Sequence, residues 1–423
     1  MEEIEKLAKW GPNMVDNIGI GMVFPTATKT YPKISPMGPQ GVIEILDALE
    51  TNGVSWVKTV AIGGLHPNNI ERVLYQCVST NSKRSLDGIA VVSDIMASET
   101  AGKSAKVLRD LLNQPSYNFL NLNLNYESLT LGSIQDIISQ LTVNRPLVHH
   151  ITNKVHQNFG ANVTLAVGAS PIMSDIESEV EELSKISNSS LLINTGTIAP
   201  IDMLKTAISA YNIARRPIVF DPVGYSATET RYILNNTILS YGQFSCIKGN
   251  IGEILSLAHM EGNKMRGVDS ESQQVDTKLL IDATRFVAYK YKTITVCTGR
   301  YDIVVDGTVG GSFSLGFHAN RIRADKLKCV VVNGGEIPIM GEITASGCSL
   351  GSTIACFIGG LSAGGNMYHA VVGAVLLYKT AGKLASSRCK GSGSFHVELI
   401  DALYQLSNEN CPEKWDISLD VLK

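Results

Sequence analysis

With 423 residues, 44% of them apolar and 18% charged, the chain has material for two or three domains with large buried cores, which excludes general disorder. Lys and Arg total 36 against 39 Asp and Glu, a net charge of −3 with no basic tail or lysine-rich face, so neither nucleic acid nor a membrane is expected as a partner. The start, MEEIEKLAKW, is charged and amphipathic without a basic leader or an apolar stretch, and no apolar run reaches the roughly 18–20 residues that span a bilayer. Eight scattered cysteines show no CxxC pair and no Cys/His metal spacing, the pattern of reduced thiols in a cytoplasmic protein.

In chain order, Met14–Phe24 reads as a β-rich run, Gly41–Asn52 as a helix, Trp56–Ile62 as a strand, Asn68–Val78 as a helix, Gly88–Ser93 as a strand and Thr100–Leu112 as a helix. Strands alternating with helices imply parallel βα units. Residues 113–133, rich in Asn, Ser, Leu and Tyr without a period, read as a linker between a first domain at 1–112 and a second at 134–423. In the second block, Leu147–Ile151, Leu191–Asn194, Ile218–Phe220, Ser245–Ile247 and Thr293–Cys297 are buried-strand candidates. Glu177–Ile186, Pro200–Ile213, Leu279–Tyr291, Ala370–Ala385 and Phe395–Leu406 read as helices, and 300–342 as a long irregular insertion.

The chemistry gathers where strands end, the place where open α/β sheets bind ligands. Ile218-Val219-Phe220 runs into Asp221-Pro222-Val223-Gly224, Cys246-Ile247 into Lys248-Gly249-Asn250 with Glu253 three residues on, and Ile294–Cys297 into Thr298-Gly299. Taken singly, an acid after a strand is most often a helix cap. Taken together, Asp221, Asn250 and Glu253 offer hard oxygen donors for Mg²⁺, Lys248 a point charge for phosphate, and Thr298 a hydroxyl. The run Ile343-Thr344-Ala345-Ser346-Gly347-Cys348 opens into an apolar helix, and small residues at a helix start let an anion approach unpaired N–H groups. Cys348 in that field is expected to ionise more readily than in water. This inventory suits phosphoryl transfer.

His149, His150 and His156 do not share one helical face, so a pocket for a small heteroaromatic molecule, with Asn153 and Met173 among its walls, is favoured over a metal site. In the first block, Thr26, Thr28 and Lys29 after one strand, Gly63 and Gly64 after the next, and Val92 with Ser93 after the third offer hydroxyls, an ammonium and open backbone N–H groups, a combination suited to phosphate.

PLVHHITN, then GASPIM, DPVG, GN with Glu253, VCTG, the loop with Cys348 and GSGSF appear in order over about residues 134–408, and there the chain resembles the hydroxyethylthiazole kinases, members of the ribokinase-like fold. The resemblance implies Mg²⁺ as cofactor and ATP as co-substrate. It casts Cys348 beside the substrate hydroxyl and Gly347 in an anion hole, with Lys248, Thr298 and Ser346 toward the nucleotide. Asp221, Asn250 and Glu253 would then hold metal, Asn153 and Met173 would line the thiazole pocket, and a homo-oligomer (trimer or hexamer) would form. The loop reads ASGC where bacterial relatives carry TGTGC or TGAGC.

FPTATK, IGGL and VVSDI in the first block resemble the end of thiamine phosphate synthase, an eight-stranded TIM barrel. The pair resembles the fungal bifunctional enzymes of thiamine biosynthesis. Only three barrel strands are legible, so the synthase half is expected to be N-terminally incomplete, to keep a thiazole-phosphate half-site and to lack synthase activity alone. A cysteine-nucleophile hydrolase would need an imidazole aimed at Cys348, and a non-catalytic phosphate-binding or scaffold protein is the other alternative.

Overall fold

Parallel strands need crossover helices to carry the chain back, and both sides of such a sheet are then covered, which is why the strands here read as continuous apolar runs. The computed structural model describes residues 2–26, 35–80, 84–113, 129–260, 276–312, 315, 323–362, 365–408, 415 and 417–422. The chain divides into two compact units, one built on 1–117 with 237–243 and 309–323, the other on 118–236, 244–308 and 324–423.

In the smaller unit, β1 (Asn17–Gly21), β2 (Lys58–Ile62) and β3 (Gly88–Ala90) form a parallel sheet in that order among the described residues. Each is shorter than its expected run, the flanking residues lying outside the paired ladder. After β2, Gly63 and Gly64 take φ of 96° and 64°, a region open to glycine. A Cβ on Gly64 would lie 2.5 Å from Pro25 O, so the turn there admits glycine alone. After β3, Ser93 opens a short helix, Ser93–Met96. The helix Gly38–Thr51 begins earlier than expected because Pro39 suits a first helical turn. It buries Val42 and Leu46 against Ile20 and Ala61 of the sheet. Ile4 and Leu7, on one face of Glu2–Trp10, pack with Leu49, Val54 and Val57.

The larger unit carries a nine-stranded sheet among the described residues. Its strands are β4 (Leu147–Ile151), β5 (Ser170–Met173), β6 (Ser189–Asn194), β7 (Ile218–Asp221), β8 (Cys246–Asn250), β9 (Ile294–Thr298), β10 (Asp302–Asp306), β11 (Cys329–Asn333) and β12 (Ser418–Leu422). They lie in the order β12-β11-β10-β9-β8-β7-β6-β4-β5. From β5 to β9 neighbours are parallel; β10, β11 and β12 continue the sheet antiparallel.

That antiparallel end corrects the expected irregular insertion at 300–342. Ile303-Val304-Val305 and Val330-Val331-Val332 are apolar β-branched runs too short to be told from helix by period. The turn at Gly299–Tyr301 is too short for a crossover, so β10 must return antiparallel. A helix at Leu131–Asn144, capped by Thr130 with Ser133 in a reciprocal box, leads into β4. The helices Ser346–Gly359 and Met367–Arg388 are buried on almost every face, and Ile354, Phe357, Val371 and Val375 join the strands in one core. No helix among the described residues is long and apolar enough to cross a membrane.

Parallel topology has one consequence that matters most. It brings the carboxyl ends of β4, β6, β7, β8 and β9 to one edge of the sheet, with the start of Ser346–Gly359.

Candidate active site

At that edge a row of polar side chains is linked by direct hydrogen bonds. Asn153 Nδ2 donates to Asn194 Oδ1 (2.9 Å), and Asn194 Nδ2 donates to Asp221 Oδ2 (2.7 Å). Lys248 Nζ lies 3.1 Å from the same carboxylate oxygen and donates to Gly347 O at 3.0 Å. Asp221 is fully buried as the last residue of β7, so it is no helix cap. Burial raises its pKa, against the pull of Lys248 and Asn194. Its second oxygen, Oδ1, is buried and has no partner among the described residues.

Cys348 stands in the first turn of Ser346–Gly359, ahead of the first helical bond from Ser349 N to Ala345 O. The N–H groups before that bond have no intrahelical acceptor, so the loop offers donors to an anion. Ala345 takes φ 64° at the cap, in the left-handed region that favours glycine. Ser346 Oγ donates to Met340 O (2.8 Å). Cys348 Sγ accepts from Asn153 Nδ2 at 3.3 Å. The expectation of an easily ionised thiol is corrected here. Burial first, and the Asp221 carboxylate second, push the Cys348 thiol up to about 11, although Lys248 and the amides of Asn194 and Asn153 pull the other way. The helix start supplies a favourable field, but the low-dielectric site penalises a second anion more.

Glu253 and Asn250 are brought to the same edge but are bound into a reciprocal helix cap. Asn250 N donates to Glu253 Oε2 (2.7 Å), Glu253 N to Asn250 Oδ1 (2.9 Å) and Gly224 N to Glu253 Oε1 (2.8 Å). Burial, then the Asp221 charge, lifts the Glu253 pKa to about 7. Two buried acids held up in pKa, one with an unpartnered oxygen, leave room for a cation. No group of three or more His, Cys, Asp or Glu gathers as a cage among the described residues. The donor set therefore fits Mg²⁺, which takes one or two carboxylates and keeps its waters and a substrate's phosphates. Thr298, at the end of β9, donates from Oγ1 to Gly249 O (3.3 Å). Met173 ends β5, half-buried, one strand out from β4.

The three histidines are hydrogen-bonded within the fold. His149 pairs with Tyr211 OH (3.1 Å) and Ser174 O (2.9 Å), and His150 with Val148 O (2.9 Å) and Ser352 Oγ (3.1 Å). His156 pairs with Thr152 Oγ1 (2.9 Å) and the same Ser352 Oγ (3.2 Å). Their ring nitrogens are thus engaged away from Cys348, which disfavours a Cys–His nucleophile. Burial lowers His150 to about 4 and His156 to about 3 from an ordinary 6.5. Both groups are held neutral, so the unfolded chain binds more protons below pH 6.5 and stability is lost as pH falls toward 4. We expect His150→Gln to flatten that loss relative to wild type, by about 1.4 kcal/mol for each pKa unit removed, in urea unfolding from pH 7 to pH 4. Parallel curves would show that His150 is not the group being titrated.

Sequence reasoning missed Asn194 and Arg231. Asn194 closed an expected strand, and nothing local marks its amide as the bridge between Asn153 and Asp221. Arg231 donates to the carbonyls of Thr195, Val223 (3.0 Å) and Gly196 (2.9 Å), tying the loops after β6 and β7 beside Asp221. In the smaller unit, Thr26, Gly63, Gly64, Val92 and Ser93 all follow the carboxyl ends of β1, β2 and β3. Thr28 and Lys29 lie outside the described residues. There His66 Nδ1 meets Asp94 Oδ2 at 2.8 Å, and Asn69 Nδ2 donates to Gly64 O (2.9 Å).

Comparison with known proteins decides the relationship. Residues 138–409 match the hydroxyethylthiazole kinase family. The chain belongs to the hydroxyethylthiazole kinase family. Residues 1–95 match thiamine monophosphate synthase, so this family member has the two-part make-up of a bifunctional enzyme of thiamine biosynthesis. It is similar to the thiamine biosynthetic bifunctional enzyme of Saccharomyces cerevisiae, 64% identical over 421 residues, covering all of this chain and 78% of that one. The hydroxyethylthiazole kinase of Archaeoglobus fulgidus is 37% identical over 66% of this chain and 94% of its own. Among solved structures, the hydroxyethylthiazole kinase protein from Pyrococcus horikoshii OT3 superposes with a TM-score of 0.56 at 29% identity, over 69% of this chain and all of that one. The kinase part thus has the family's parallel-dominated α/β fold. The synthase match covers residues 1–95.

Proposed function

We propose that the larger unit, read as a kinase domain over 134–423, transfers the γ-phosphoryl group of ATP to the hydroxyl of 4-methyl-5-(2-hydroxyethyl)thiazole. The observation that carries this reading is the buried row Asn153–Asn194–Asp221–Lys248 ending under the first turn that holds Cys348. The alcohol oxygen forms a bond to the γ-phosphorus, the bond from that phosphorus to the ADP oxygen breaks, and the hydroxyl proton leaves to the transferred phosphate or to water. In such a loose transition state the protein's contribution is chiefly position and charge.

The N–H groups near Gly347 and Ser346 receive the phosphoryl oxygens, and Lys248 holds the loop through Gly347 O and faces the charge. Thr298 faces the nucleotide. Asn153 and Met173 wall the thiazole. Cys348 stays a neutral thiol near pH 7 and orients the alcohol. When bound with ATP, Mg²⁺ supplies charge neutralisation, and Asp221, with Asn250 and Glu253 through water, would hold it. The reading includes a cytoplasmic homo-oligomer.

For the first 112 residues we read the strand ends as a thiazole-phosphate site of a synthase segment with TIM-barrel ancestry, formed by Thr26, Thr28, Lys29, Gly63, Gly64, Val92 and Ser93, with 113–133 as connection. The test is mass spectrometry of products after the purified chain meets hydroxyethylthiazole, hydroxymethylpyrimidine diphosphate and Mg-ATP. Thiazole phosphate is the expected product of the kinase; thiamine phosphate in addition would show a working synthase site. Neither product, from folded chain, would overturn the catalytic reading in favour of a phosphate-binding or scaffold protein.

A further inference from the structure

The helix Met367–Arg388 is apolar and buried along most of its length, yet two neighbours on it carry polar groups to the edge of the sheet. Tyr378 donates its hydroxyl to Ser346 O at 2.6 Å, in the loop that opens into Cys348. Lys379 donates to Gly299 O at 2.9 Å and Arg300 O at 3.4 Å, and its Nζ lies 3.2 Å from Asp302 Oδ2. The other oxygen of Asp302 accepts from Gly299 N at 3.1 Å. The turn after Thr298 is therefore held on both its N–H and its C=O side by one buried ion pair. A lysine sunk to 7% exposure in an apolar helix is costly unless it is paired. Room is made for its stem: a Cβ on Gly334 would fall 2.4 Å from Lys379 Cγ and 2.8 Å from its Cε.

We infer that Tyr378 and Lys379 are positioning residues that hold the phosphate loop and the nucleotide-side turn from one helix: Lys379, with Asp302, sets the Thr298–Gly299 turn for ATP, and Tyr378 sets the Ser346–Cys348 loop for transfer. This rests on the kinase reading above. Neither residue touches the reacting atoms in this arrangement; each fixes a backbone that does.

The experiment is steady-state kinase kinetics on wild type, Lys379→Met, Lys379→Arg, Tyr378→Phe and the double variant Lys379→Met with Asp302→Asn. Lys379→Met is expected to raise KM for ATP tenfold or more while KM for hydroxyethylthiazole changes less than twofold, with Lys379→Arg recovering part of the loss. Tyr378→Phe is expected to lower kcat several-fold with KM for ATP nearly unchanged. If Lys379→Met does not fold, the double variant, which buries no lone carboxylate, carries the same expected split. Equal shifts in both KM values, or none, in a folded variant would overturn the inference. Inactive wild type would instead overturn the kinase reading on which it rests.

Discussion

Lys248→Met is expected to remove kinase activity and to destabilise the larger unit by about 3–5 kcal/mol, the usual cost of breaking a buried ion pair from one side. Asp221 is fully buried and Lys248 nearly so, at 3.1 Å. Without the ammonium, the carboxylate keeps only the Asn194 amide, and Gly347 O loses its donor. Burial already raises the Asp221 pKa, so the variant should take up a proton there on folding. Adding Asp221→Asn removes the lone charge and should return much of the stability without returning turnover. Urea unfolding and phosphoryl-transfer assays on the two single variants and the double one read both halves. A Lys248→Met protein as stable as wild type would mean that the pair is already neutral in the native state.

Cys348→Ala should lower kcat by about 10²-fold or more, the lower end of what a positioned group at the reacting hydroxyl contributes. Cys348→Asp should keep measurable turnover, because a carboxylate in the same place can also accept a hydrogen bond from the alcohol. The thiol, pushed up to about 11, gives a further expectation: wild-type kcat should show no cysteine ionisation between about pH 6 and 9, and iodoacetamide should react slowly near pH 7. Equal activity of wild type and the alanine variant would remove Cys348 from the mechanism. A rate rising through pH 7 that Cys348→Asp abolishes would restore the ionised thiol as a base.

The parts of the site legible in the sequence share one property: their meaning is local. Asp221, Lys248, Asn250 and Thr298 each close a short apolar run, and Ser346, Gly347 and Cys348 open a helix, so a window of ten residues is enough to mark them. Asn250 and Glu253, expected as Mg²⁺ donors, turn out also to cap the helix Ile251–Leu257 reciprocally, a role of equally short range. The residues that escaped are those whose partners are far along the chain. Asn194 gains importance only from Asn153 and Asp221, Arg231 from the carbonyls of Thr195, Gly196 and Val223, and Lys379 from Asp302, 77 positions earlier (379 − 302).

What the sequence determined by itself was the alternation of strand and helix, hence a mostly parallel sheet with its chemistry at the carboxyl edge, and the order of motifs that marks the kinase family. These follow from periodicity and turn chemistry, which act over a few residues. The tertiary structure alone decided that β10, β11 and β12 extend the sheet antiparallel, because strand direction depends on which edge is free and how short the turn is. It also decided the protonation of Cys348. A helix start favours a thiolate, but burial first, and then the Asp221 carboxylate at the end of β7, disfavour it more, and only the packed chain brings both around Cys348.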